Sequence, residues 1–165
     1  MRTFSAKPAE IQRDWIVLDA TGVAVGRLAA EAAKILRGKN KAIFTPHIDT
    51  GDHVIIINAA RAIYTGNNKA DEPIWRHTLY PGGIKSVPKG ELLEKRPEHA
   101  IMRTVKGMLP HNSLGAATLK KLRIYAGAEH LHEAQIKGTP TPERAEKVAA
   151  SATMHMRRNA VKAGE

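Results

Sequence analysis

Twelve side chains in this sequence could carry chemistry of one kind, the neutralisation of phosphate. Arg37, Lys39 and Lys41 lie in an R-G-K-N-K run. Lys69, Arg76, His77 and Lys85 surround two glycine-bearing turns, Gly66-Asn67-Asn68 and Pro81-Gly82-Gly83. Arg103, Lys106, Lys120, Lys121 and Arg123 gather on either side of Pro110. One charge run is usually a solvated face. Three of them around loops and breaks say more, because glycine lets a backbone approach a phosphate closely and Lys or Arg neutralises it. The whole chain points the same way. Its 26 Lys and Arg against 16 Asp and Glu give a net charge of +10 and a pI near 10.0. Such a balance favours a polyanionic partner and a strongly salt-dependent association.

Other chemistries fit less well. A strand, a glycine and a helix open the chain, which raises nucleotide binding. Yet Gly22-Val23-Ala24-Val25-Gly26-Arg27-Leu28 is one residue short of the phosphate-loop spacing, lacks its Lys-Ser/Thr pair, and contains no G-x-G-x-x-G. A metal is the next candidate. His47, Asp49, Asp52 and His53 fall within one short stretch, and His130 and His132 form an H-x-H. These spacings match no compact zinc pattern, and there is no Cys to help. A polar loop, with Asp and Thr bonded to the backbone ahead of a strand, explains the first group. Ser5, Ser86, Ser113 and Ser151 are the only serines, and none sits in a nucleophile elbow. Glu91 and Glu94 read as a solvated helix face. No cofactor, metal, small-molecule substrate or catalytic residue is expected.

The elements that must position the basic groups can be read from periodicity. Trp15 to Ala20 is a short apolar run and a first strand. Val25, Leu28, Ala29, Ala32, Ile35 and Leu36 recur at helical spacing up to Arg37, with Gly38 as the stop. His53 to Asn58 is a continuous apolar run, which suits a strand covered on both faces. Ala62 to Thr65 is a shorter strand candidate, and Ile74 to Leu79 reads as extended until Pro81-Gly82-Gly83. A helix is expected over Lys89 to Lys95, and another from Pro97, whose fixed φ suits a first turn, to Met108. Ile101, Val105, Met108 and Leu109 line one side of it; His99, Arg103 and Lys106 line another. Pro110 ends it. Leu114 to Leu122 reads as a short helix and Arg123 to Ala126 as a last strand. Strands alternating with helices predict an α/β fold with a mostly parallel sheet.

Composition sets the outer bounds. With 165 residues, 42% of them hydrophobic, the chain supports one domain and an appendage. Aromatics are only 4%, so Ala, Val, Ile and Leu must build the core. The same scarcity argues against a base-stacking platform and favours recognition of folded nucleic acid by shape and backbone. Charge is uneven, with eleven basic and eight acidic residues up to Gly82 but fifteen and eight beyond it. The absence of cysteine suits an intracellular home. The N-terminus lacks a signal peptide's apolar stretch, and no run approaches the ~20 apolar residues of a membrane span. From Lys137 the character changes to a Gly/Pro/Thr linker and a basic segment too poor in large apolar residues to pack a core. The expected division is residues 1–136 as an α/β domain and 137–165 as a basic C-terminal extension that lies on RNA or stays disordered.

Several stretches, taken in order, resemble a known family. They include R-D-W-I-V-L-D-A-T-G (Arg13 to Gly22) and T-P-H-I-D-T-G-D-H-V-I-I-I-N-A (Thr45 to Ala59). Arg76-His77-Thr78, Pro81-Gly82-Gly83-Ile84-Lys85, Val105 to Pro110 and Leu122 to His130 follow. Each motif alone is weak, but their order and spacing resemble the bacterial large-ribosomal-subunit protein thirteen family from about Phe4 to Gln135. The resemblance implies a three-layer α/β/α domain with a small, mostly parallel, four-stranded sheet. It also implies a cytoplasmic, non-enzymatic ribosomal protein that binds large-subunit rRNA early in assembly, beside neighbouring large-subunit proteins. A basic RNA-binding module off the ribosome, a chaperone or translational regulator, is the alternative. The chain departs from the family pattern at Asn68, where Lys is frequent, at Glu72-Pro73, and at Leu79, where Gly is usual.

Overall fold

The apolar runs become a parallel sheet. β1 (Trp15–Asp19) pairs with β2 (His53–Ile57), and β5 (Leu122–Ile124) lies on the far side of β2. The computed structural model describes residues 4–66 and 68–137. Asn67 of the Gly66 turn and the expected extension beyond Lys137 lie outside the described residues.

The crossover from β1 to β2 contains α1 (Val25–Arg37), and the crossover from β2 to β5 contains α3 (Pro97–Met108). Parallel crossovers are right-handed, and the strand order runs one way, so both helices fall on the same sheet face. That face holds the core. Alternate strand residues Ile16, Leu18, Val54, Ile56, Leu122 and Ile124 join the apolar stripe of α1 and Ala100, Ile101 and Val105 of α3 in one buried cluster. Gly38 ends α1 in the left-handed conformation at φ 79°, as its position predicts. α2 (Lys89–Lys95) packs on α3 and buries Leu93. Leu109 turns inward at the end of α3, whereas Met108, expected on the buried side, is exposed where the chain leaves the helix.

The opposite face carries Trp15, His53, Ile55 and Arg123 in register. Its cover is thin. Trp15 stacks on His53 with ring centres 4.3 Å apart, and His132 stacks on Trp15 at 5.1 Å. The single-turn α5 (Glu133–Lys137) rests against β1. The α/β class and the parallel sheet agree with expectation, but among the described residues the sheet has three strands, not four. Ala62 to Thr65 makes only one parallel bridge, Ile63 to Ala24. Ile63 lies alongside the start of α1, where a helix replaces the strand that would have extended the ladder.

A second, two-stranded sheet stands apart. β3 (Pro73–His77) and β4 (Ile84–Pro88) form an antiparallel hairpin in which only Ile74 is partly buried. One departure from the family pattern lies in its turn. Leu79 has φ 72° and is 90% exposed. A left-handed backbone costs a side-chain-bearing residue about 1–2 kcal/mol, which Gly avoids. Leu79→Gly should therefore slow amide exchange at Thr78, whose N–H donates to the Gly83 carbonyl at 2.8 Å, by roughly fivefold. Unchanged or faster exchange would contradict this reading of the turn.

Candidate nucleic-acid interface

The structure sorts the twelve candidates by which way they point. In the first cluster Lys39 is exposed and Arg37 is half-buried, its guanidinium 5.8 Å from the centre of the Phe44 ring. Arg37, Phe44, Pro46, Ile48, Pro110 and Leu114 line one small depression. The end of α1 therefore meets the turn that separates α3 from α4 (Ser113–Leu119). Two local features shape that turn. Asn112 caps α4 by accepting the Gly115 N–H at 2.7 Å. A side chain at Gly115 would meet the Pro110 carbonyl at 1.9 Å, so only Gly fits.

Arg103 and Lys106 are exposed on α3, and Lys120 is exposed after α4. Arg123 is exposed too, but it lies on the opposite sheet face, paired in register with Ile55. Lys69, Arg76, His77 and Lys85 are all exposed on or beside the hairpin, where Arg76 stands directly across from Lys85.

Two candidates differ from the other ten. Lys41 and Lys121 turn inward, with only 7% and 8% of their surface exposed. Lys41 pairs with Asp52 and donates to the Gln12 carbonyl at 2.8 Å. Lys121 donates to Asp49 at 2.5 Å, to the Gly51 carbonyl at 3.0 Å and to the Leu36 carbonyl at 3.3 Å. Leu36 is in the last turn of α1, so the ammonium also sits at the negative end of that helix. Burial pushes the Lys121 pKa down, against the opposing pull of Asp49. These lysines fasten the loop before β2 to α1, β5 and the N-terminal segment. The loop packs so closely that a Cβ on Gly51 would meet the Leu36 carbonyl at 1.7 Å.

The same contacts occupy the residues that had raised a metal. Asp49 and Asp52 hold lysines, Asp49 also accepts the Gly51 N–H at 3.3 Å, and Asp52 accepts the Asp14 N–H at 3.0 Å. His53 and His132 stack on Trp15. Among the described residues, no group of three or more His, Cys, Asp or Glu is placed to hold a metal ion, and no helix is long and apolar enough to cross a membrane.

The geometry is therefore an exposed cationic surface on a core locked by internal ion pairs, and comparison with known proteins says which kind. Residues 13–131 match the family described as Ribosomal protein L13. The chain belongs to that family. It is 57% identical over 136 residues to the "Large ribosomal subunit protein uL13" of Ruminiclostridium cellulolyticum, covering 82% of this chain and 94% of the relative. The protein of the same description in Beutenbergia cavernae is 55% identical over 135 residues, 82% of this chain and 92% of that one. In Salinispora arenicola it is 54% identical over 149 residues, 90% and 99%.

Sequence reasoning missed the internal lysine pairs in this L13-family chain. A signal was present, since Asp49 and Asp52 sit in a loop otherwise close to basic runs. One consequence is pH dependence. Burial, and then the charges of Lys121 and Arg13, hold the His53 pKa below its ordinary value, outweighing Asp49 and Asp52. Below about pH 6.5 the unfolded chain takes up a proton that the folded chain refuses, so stability should fall as pH drops. Urea melts at pH 7.5 and 5.0 should show a smaller acid loss in His53→Gln than in the wild type. Equal losses would clear His53 of this role.

Proposed function

We propose that this chain is a structural constituent of the large subunit of the cytoplasmic ribosome, acting as a scaffold and not as an enzyme. The observation that carries the reading is family membership across residues 13–131, with relatives of that description over more than nine-tenths of their length. Its partners are large-subunit rRNA and the ribosomal proteins beside it. The exposed cations Lys39, Lys69, Arg76, His77, Lys85, Arg103, Lys106, Lys120 and Arg123, with the half-buried Arg37, are the contact set. Lys41 and Lys121 are left out because their ammonium groups are already spent on internal partners.

Physical chemistry supports the assignment of roles. The contacts come from several elements and from both sides of the sheet, so one chain can hold separate RNA segments in fixed relation. That suits early assembly, when a folded protein limits the conformations open to the RNA. Phosphate contacts supply affinity and register, while sequence selectivity comes from RNA shape. The test is binding of purified large-subunit rRNA and of an unrelated structured RNA of equal length over a KCl series. Tight, selective binding to the rRNA is expected. Equal affinity for both would favour an RNA chaperone or regulator off the ribosome.

A further inference from the structure

The β3–β4 hairpin has two unlike faces, and of its strand residues only Ile74, on the second face, is partly buried. Pairing Trp75 with Ser86 and His77 with Ile84 puts Trp75, His77 and Ile84 on one face. Trp75 is 64% and Ile84 63% exposed. The other face presents Arg76 and Lys85 directly opposite one another. Like charges across a strand pair destabilise it, unless an anion lies over them. No acidic residue occurs between Glu72 and Glu91, so every charged side chain on the two strands is basic. A two-stranded hairpin exposed on both faces is marginal by itself, and a bound polyanion would relieve the cost.

We infer that this hairpin inserts into the bound RNA, seating one unpaired base between Trp75 and His77 while Arg76 and Lys85 hold phosphates on the reverse face. Residues two apart on a strand face are about 7 Å apart, room for one planar base between two rings. Trp75, Arg76, His77 and Ile84 line a depression at that place. The His77 ring is already fixed, because its Nδ1 accepts the Leu79 N–H at 3.0 Å. A stacked base is sequence-tolerant, and the adjacent cations add to the attraction. The low aromatic content had argued against any such platform, yet the structure spends one of only two tryptophans on this exposed site.

This inference rests on the rRNA-binding reading above. The test compares wild type, Trp75→Ala, Trp75→Phe and the double variant Arg76→Gln/Lys85→Gln on purified large-subunit rRNA over a KCl series. Thermal melts confirm that the variants fold. Trp75→Ala should weaken binding roughly 5- to 100-fold without changing the salt slope, and Trp75→Phe should recover most of the loss. The double variant should instead reduce the slope by up to about two. Wild-type binding with unchanged affinity in Trp75→Ala overturns the seated base while leaving the rRNA reading intact. Burial of Trp75 in assembled subunits alone, without that affinity loss, would assign the face to a neighbouring protein. Failure of the wild type to bind rRNA would overturn both.

Discussion

Asp52→Ala is expected to lower the stability of the folded chain by about 3–5 kcal/mol, the usual cost of removing one partner from a buried ion pair. The side chains of Lys41 and Asp52 are only 5% and 2% exposed. Without the carboxylate, the Lys41 ammonium keeps the Gln12 carbonyl alone, and the Asp14 N–H loses its acceptor. Thermal melting should drop by on the order of 10 °C or more. The companion experiment separates this role from RNA binding. Lys41→Met should reduce stability and leave the salt slope of rRNA binding unchanged. If Lys41 reached a phosphate, the slope would fall by about 0.9. A stable Asp52→Ala, or a reduced slope in Lys41→Met, would return Lys41 to the surface set.

The second large effect should have the opposite signature. Replacing Lys39, Arg103, Lys106 and Lys120 together by Gln should cut the salt slope by about three to four if all four meet phosphate. At 0.1 M salt, affinity should then fall on the order of a thousandfold. All four are exposed, and none takes part in a side-chain ion pair found among the described residues. Exposed substitutions of this kind typically move stability by less than about 0.5 kcal/mol each. Filter binding and urea melts on the same preparations would measure both quantities. A variant with wild-type slope would show that these four side chains face away from RNA.

These two experiments separate what the sequence disclosed from what it hid. The core was legible because its signals are local. Trp15 to Leu18 and Val54 to Ile57 are unbroken apolar runs, and the α1 stripe repeats at helical spacing before a glycine stop. The hairpin's second strand was not legible. Every residue from Ile84 to Pro88 is exposed, so no buried face imposed a period-two pattern. Ala62 to Thr65 erred the other way, an apolar run with nothing to pair beyond one bridge.

The interface was legible as a composition and not as a geometry. Lys120 and Lys121 are identical neighbours, yet one is exposed and the other buried, because the chain turns between α4 and β5. The partner that decides this, Asp49, lies 72 positions away. Arg123, two residues on, faces the other side of the sheet, since alternation along a strand fixes it there. Lysine spacing alone carries no information about where an opposing carboxylate will be brought.

Sedimentation of a cell lysate through a sucrose gradient, with immunodetection of this chain, tests the central claim most directly. The account predicts that the chain travels with the large subunit at moderate salt and stays with it through a high-salt wash. Recovery at the top of the gradient, or release at modest salt, would contradict it and point to a free or peripheral RNA-binding module.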